Sequence, residues 1–290
     1  MTILAESGAT KTDWRSIASD GTVYSMRSTG MNVATADVAF VEKTLREAIP
    51  KLNPSGETVE RIYFYAAGMI STPGNPVPEG AVRLHGEFMK AFPEAEVAYA
   101  SDLLAAARAL FGRKPGIAVI LGTGSNSCEY DGKRIVKNVR SGGFILGDEG
   151  GGASLGRQFV SDFLKGIVPE PVASEFAAKY DMEYFHVVKN VYRGPSPASY
   201  LGSFAPFIME HYDSCLYVKC LVDNNFRALF ERCLLQYDIE GKPVGVVGGF
   251  GFAHKEILLR VAQEYGVGIS DIVSLPIEGL VKYYIEENEN

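Results

Sequence analysis

No stretch of this 290-residue chain approaches the roughly 18 consecutive apolar residues that a membrane helix needs. The opening Met1-Thr2-Ile3-Leu4-Ala5 lacks the basic start and apolar run of a signal peptide, so a soluble cytoplasmic protein is expected. Cysteine is sparse: Cys128, Cys215, Cys220 and Cys233 contain no CxxC pair, which removes support for a disulfide framework or a structural zinc site. Basic residues are outnumbered, 28 Lys+Arg against 35 Asp+Glu for a net charge of −7. That balance argues against nucleic acid or an anionic membrane as the main partner. His85, His186, His211 and His254 are scattered, with no HExxH spacing, and no GxSxG elbow occurs.

Glycine is plentiful instead, at 31 residues, above the usual level of roughly 7%. The length suits about two domains of roughly 150 residues each. The first stretch reads as strand, tight turn, strand, Asp20-Gly21 hairpin, strand. Helical spacing follows from Val38 to Ile49 and is expected to stop at Pro50. Ile62 to Gly68 reads as a buried strand, Thr72 to Pro78 as a loop, and Glu79 to Phe92 as amphipathic. A short strand at Val97–Ala100 then delivers Ser101-Asp102 to an Ala/Leu-rich helix ending at Gly112.

After residue 113 the pattern starts again. Ile117–Leu121 is an apolar strand, Gly122-Thr123-Gly124-Ser125-Asn126 a small-residue turn, and Asp131-Gly132 a second DG hairpin. Two such units predict a duplicated α/β architecture, with domains at 1–113 and 114–290 and a last helix, about 277–290, that can pack back on the first domain. Between them, about 153–237 is mostly helical, and Val244–Gly251 is a late strand running into a glycine turn.

The glycine turns carry the chemistry. Gly8-Ala9-Thr10-Lys11-Thr12 can aim backbone N–H groups, hydroxyls and one positive charge at an anion, with Glu6 placed to meet a hydrated Mg²⁺. It is no Walker A loop, lacking the GK[ST] ending, and a plain hairpin remains the alternative. Gly122–Asn126 is the same device in the second copy, and two such turns facing each other would clamp a polyphosphate. Gly248-Gly249-Phe250-Gly251 offers a surface without Cβ atoms for a flat ring, or else marks close packing. Asp102 is the acid at the junction of the copies, although Ser and Asp also favour helix starts as caps. Gly147-Asp148-Glu149-Gly150 supplies a second acidic pair before a helix.

Taken in order, the Glu6–Thr12 turn, Asn32, Asp102, the Leu121–Asn126 turn, Gly142-Gly143-Phe144, the 147–150 motif and Gly248-Gly249-Phe250 resemble the N-acetylglucosamine kinase family. That family lies in the actin/Hsp70/sugar-kinase ATPase superfamily, close to the BadF/BadG/BcrA/BcrD-type ATPases, and the resemblance spans nearly the whole chain. It implies two ribonuclease-H-like domains with ATP, Mg²⁺ and a small amino sugar in a cleft between them. By resemblance, Gly8, Thr10, Lys11, Gly122, Thr123 and Gly124 would hold ATP phosphates, Gly248, Gly249 and Phe250 the adenosine, and Glu6 the metal. Asn32, Asp102, Ser125, Asn126, Gly143 and Asp148 would meet the sugar, with Asp102 as general base toward its 6-hydroxyl. Ser7 and Ala9 stand where the family has glycine, and only Ile145 and Leu146 separate Gly142-Gly143-Phe144 from the 147–150 motif. The resemblance points to N-acetylglucosamine or N-acetylmuramic acid as acceptor. It leaves open an activator ATPase with an iron–sulfur cluster, a catalytically silent nucleotide- or sugar-binding protein, and the oligomeric state, a homodimer included.

Overall fold

The structure is a computed structural model and describes residues 1–8, 11–31, 38–67, 69 and 81–288. The chain forms two compact units, one of Met1–Lys114, Asp131–Arg134 and Leu275–Asn290, the other of Pro115–Tyr130 and Ile135–Ser274. The 114–290 domain expected from the sequence therefore yields its last helix and the 131–134 turn to the first unit.

The first unit holds a sheet of β1 (Thr2–Ser7), β2 (Lys11–Ile17), β3 (Val23–Thr29), β4 (Arg61–Ala66) and β5 (Glu96–Ser101). Its helices are α1 (Val38–Leu52), α2 (Val82–Ala91) and α3 (Asp102–Phe111). The strand order is β3-β2-β1-β4-β5. Hairpins make β1–β2 and β2–β3 antiparallel, whereas β1–β4 and β4–β5 are parallel. Helix α1 runs past the expected stop and carries Pro50 in its last turn. A proline there forfeits one backbone donor without ending the helix, and Asn53 N–H still reaches the Ile49 carbonyl at 2.9 Å.

The second unit repeats the plan with β6 (Gly116–Leu121), β7 (Ser125–Tyr130), β8 (Ile135–Val139), β9 (Val244–Val247) and β10 (Ile269–Val273). Their order, β10-β9-β6-β7-β8, is the first sheet's order read from the other edge. Between β8 and β9 lie α4 (Gly143–Leu146), α5 (Gly152–Leu164), α6 (Val172–Lys179), α7 (Tyr184–Arg193), α8 (Pro197–Gly202), α9 (Ala205–Glu210) and α10 (Leu216–Arg232). Helices α11 (Gly249–Ala253) and α12 (Lys255–Glu264) follow β9, and α13 (Ile277–Asn288) ends the described chain. No described helix is long and apolar enough to cross a membrane.

Each sheet is apolar on both faces, which parallel strands require. In the first unit Ile3, Ala5, Ile62 and Phe64 face α1 and α2, while Leu4 and Tyr65 face α3 and α13. Ile277, Leu280, Val281 and Tyr284 of α13 complete that second layer, which is the physical reason the helix belongs to the first unit. The crossing of α13 over α3 is tight: a Cβ on Gly279 would lie 2.4 Å from the Ala109 carbonyl oxygen. Gly279→Val is therefore expected to cost about 1–3 kcal/mol by overpacking. Gly268→Ala, whose Cβ would meet nothing within 4 Å, serves as the neutral control. Thermal denaturation of both variants checks this, and equal melting points would refute it.

Candidate active site

Parallel strands bring their carboxyl ends to one edge, where ligands of open α/β sheets bind. In the first unit that edge is set by register: Ser7 lies beside Ala66, and Ala66 beside Ser101. Glu6, Tyr65 and Ala100 form the row just beneath, with Asp13 across the hairpin from Glu6. Asp102, the next residue after β5, opens α3 at the same edge.

The capping question at α3 is decided by geometry. Ser101 is the N-cap, its Oγ accepting from Leu104 N–H at 3.2 Å. Asp102 Oδ1 accepts from Leu103 N–H at 2.8 Å, so the carboxylate is anchored by one oxygen. Asp102 is half-buried, and that burial raises its pKa above the ordinary carboxylate value despite the backbone bond.

Glu6 is perturbed more strongly. Burial first, then the negative charges of Asp102 and Asp13, push its carboxyl up to about 7, with Lys11 opposing. Asp13 is almost fully buried and pairs with Arg27 Nε at 2.9 Å and Lys11 Nζ at 3.5 Å. Lys11 thus shares its charge with an internal acid. The excess of carboxylate over cation around Glu6 and its hard oxygen donors suit Mg²⁺. Among the described residues no group of three or more His, Cys, Asp or Glu side chains can hold a metal alone. Magnesium commonly keeps waters and phosphate oxygens beside one or two carboxylates, so the donor set fits that use.

The hairpin closes with Gly8 N–H donating to the Lys11 carbonyl at 2.9 Å. Ser7 points its hydroxyl inward, 2.8 Å from Thr12 Oγ1, and accepts from Met31 N–H at 3.0 Å. Thr10 and Asn32 lie outside the described residues.

In the second unit the Gly122–Gly124 turn has all three carbonyls engaged. Gly152 N–H donates to Gly122 O at 3.0 Å, Ala153 N–H to Thr123 O at 2.8 Å, and Gly122 N–H to Gly124 O at 2.9 Å. No carbonyl of the turn is left to repel an anion, while Thr123 is exposed. A Cβ on Gly122 would meet nothing within 4 Å, and its φ is not left-handed, so that glycine guards open space rather than a strained turn. Gly124 differs, since its Cβ would lie 2.7 Å from Asp148 Oδ2.

Asp148 is buried, and it is the one non-glycine residue with positive φ among those described, at 56°. Its Oδ1 accepts from Ser125 N–H at 3.2 Å, and burial raises its pKa, with Glu149 adding to the rise. Glu149 is turned away, to Arg232 Nε at 2.9 Å. Asn126 uses Oδ1 to accept from Ser127 N–H and from Asn138 Nδ2, both at 2.9 Å. Gly143, at φ 69°, is exposed on α4 and a Cβ there would meet nothing within 4 Å. Gly248 is glycine for packing, since its Cβ would lie 2.3 Å from Leu121 O, whereas Gly249 is exposed with open space. Phe250 is half-buried, 5.7 Å from the Phe226 ring and 4.8 Å from His254.

Sequence reasoning named both turns, Glu6, Ser7, Ser101 and Asp102, and missed Asp13. Asp13 had a readable signal: pairing Ser7 with Thr12 across the hairpin necessarily sets Asp13 opposite Glu6. None of the four cysteines forms a disulfide; Cys215 is half-buried and Cys220 exposed.

No family model matches the chain, and no curated relative does. A solved structure of a provisionally named N-acetylglucosamine kinase from Porphyromonas gingivalis is 36% identical, covering 99% of this chain and 100% of its own at a TM-score of 0.88. The chain belongs to the N-acetylglucosamine kinase family. A second provisionally named member, from Chromobacterium violaceum, is 18% identical over 97% of this chain and 98% of its own, with a TM-score of 0.70. A ROK family glucokinase from Streptomyces griseus, solved with glucose and AMPPNP, is 15% identical over 100% and 99%, with a TM-score of 0.60. At those lower identities the likeness is one of fold, and it is the actin-like ATPase fold of sugar kinases.

The raised Glu6 pKa has a testable sign. Between the unfolded value of 4.5 and the folded value of about 7, the native state binds the extra proton, so wild-type stability falls as pH rises through that window. Glu6→Gln removes the penalty. Without Mg²⁺ or nucleotide it is expected to match wild type below pH 4.5 and gain on the order of 1–3 kcal/mol above pH 7. Urea unfolding at both ends of the window measures it, and a gain independent of pH would overturn it.

Proposed function

We propose that this family member transfers the γ-phosphoryl group of ATP to the 6-hydroxyl of an N-acetylated hexosamine, N-acetylglucosamine or N-acetylmuramic acid, with Asp102 as general base. The observation that carries this reading is Asp102 itself. Its neighbour Ser101 does the capping, so the acid is not needed to start α3, yet it sits at the carboxyl edge of the sheet with an elevated pKa. A carboxylate made more basic by burial is a better acceptor for the proton of an attacking hydroxyl.

Gly8, Thr10 and Lys11 in the first unit, and Gly122, Thr123 and Gly124 in the second, are assigned to the phosphates. The engaged carbonyls of the second turn support this, because what remains of it to offer is N–H and hydroxyl. Glu6 is assigned to Mg²⁺, which when bound neutralises charge on the phosphates. Gly248, Gly249 and Phe250 are assigned to adenosine, with exposed Gly249 admitting a flat ring.

Asn32, Ser125, Asn126, Gly143 and Asp148 are assigned to the sugar. The buried Asp148 is fixed by Ser125 N–H and is well placed to accept from a sugar hydroxyl. Hydrogen bonds directed at the acetamide go unmet when plain glucose enters, and unpaired polar groups discriminate strongly.

Asp102→Asn is expected to lower phosphoryl transfer by about 10²–10⁴-fold while ATP affinity stays near wild type, since the amide keeps the shape but cannot take the proton. Coupled ADP release and nucleotide calorimetry measure the two quantities, and near-wild-type turnover would refute the assignment. Gly122→Val is expected to fold normally, its side chain having room, yet to bind ATP poorly. Unchanged affinity would reduce the turn to a hairpin. The same release assay across hexoses should rank glucose well below both N-acetylated sugars, and equal rates would sink the specificity claim.

A further inference from the structure

Helix α3 carries Asp102 at its first position and Arg108 two turns later. Arg108 has two phenols as partners, where a largely enclosed guanidinium ordinarily has a carboxylate. Its Nη1 donates to Tyr65 Oη at 2.7 Å and to Tyr284 Oη at 3.0 Å, and the two phenols are hydrogen-bonded to each other. Its Nε is buried without a hydrogen-bond partner, so these phenols are what hold the group. The Tyr283 ring lies 5.1 Å from the guanidinium carbon, adding a cation–π contact.

The two phenols come from different places. Tyr65 stands on β4 in the row of Glu6 and Ala100, directly beneath the edge where Asp102 sits. Tyr284 stands on α13 and stacks on Tyr63 at 4.0 Å between ring centres. Arg108 therefore ties α3 at once to the sheet row of the site and to the last helix. It lies six positions along the helix from Asp102, about 9 Å at 1.5 Å per residue. A helix is stiff over that span, so fixing one end aims the other.

We propose that Tyr284 and Arg108 are positioning residues for phosphoryl transfer: the last helix, through this clamp, holds α3 so that the Asp102 carboxylate points at the acceptor hydroxyl. The inference rests on the reading of Asp102 as the base. Its energetic sense is that the orientation of a reacting group is worth large rate factors, whereas substrate affinity does not depend on it. A separate tie of α13, between Arg15 and Glu278, runs to β2 and does not touch α3.

The test compares variants that cut one tie or the other. Tyr284→Phe keeps the stacked ring and loses the hydroxyl, and is expected to lower kcat by roughly tenfold with KM for ATP and sugar unchanged. Arg108→Met should do the same. Arg108→Lys, which keeps the charge but not the fork, should recover part of the loss and is informative if the methionine variant does not fold. Arg15→Gln, cutting the other tie, should leave kcat at the wild-type value. Hydrogen exchange of the amides of Leu103 to Ala107 gives a readout that needs no substrate, and it should quicken in Tyr284→Phe while α2 stays unchanged. Wild-type kcat in Tyr284→Phe, a loss expressed in KM, or an equal loss in Arg15→Gln would overturn the proposal. Should the wild-type chain phosphorylate no sugar, the kinase reading fails by itself; unchanged exchange in α3 would then overturn the clamp as well.

Discussion

A strand that pairs antiparallel with one neighbour and parallel with the other ends beside a hairpin turn on one side and the carboxyl end of a parallel strand on the other. Both β1 and β6 are such strands. The backbone donors of a hairpin turn and the polar start of a helix are thereby forced to one edge, where no further strand can satisfy them. Glu6, the Gly8 hairpin and Asp102 stand at that edge in the first unit, and the Gly122–Gly124 turn and Gly248 in the second. The chemistry follows from where the sheets leave backbone groups unpaired.

The two turns meet this constraint in opposite ways. The first is braced from within by the Ser7 hydroxyl, which meets Thr12 Oγ1 and the Met31 backbone. The second is braced mainly by backbone, the Gly122 and Thr123 carbonyls held by the first amides of α5, the Gly124 carbonyl by Gly122 N–H, and Gly124 pressed against the Asp148 side chain. Gly124 therefore has no room for a side chain, since its Cβ would lie 2.7 Å from Asp148 Oδ2.

What could be read from the sequence divides along the same physical line. The duplicated strand-turn-strand pattern, both glycine turns and the Ser101-Asp102 helix start are local features, set by residues within a few positions of each other. Pro50 misled because a proline stops a helix only where its missing donor and ring cannot be accommodated, and the last turn accommodates both. For Gly248 the sequence left a ring surface and close packing as alternatives; the glycine is packed, and that depends on Leu121, a contact made only when β9 pairs beside β6. The bond between Arg108 and Tyr284 spans 176 positions, and no periodicity carries information over that distance.

The same long reach bears on synthesis. Leu4, Ile17 and Tyr65 are buried in a layer built by both α3 and residues 277–284, so that layer of the first unit is only partly covered until residues 277–284 have left the ribosome. The second unit, continuous but for the 131–134 turn, has all its strands some residues earlier. Domains generally form in the order they are made, yet here the unit begun first is the unit finished last. The part of its apolar face that α13 covers stays open through translation of the second unit, and transiently exposed apolar surface of that kind favours aggregation.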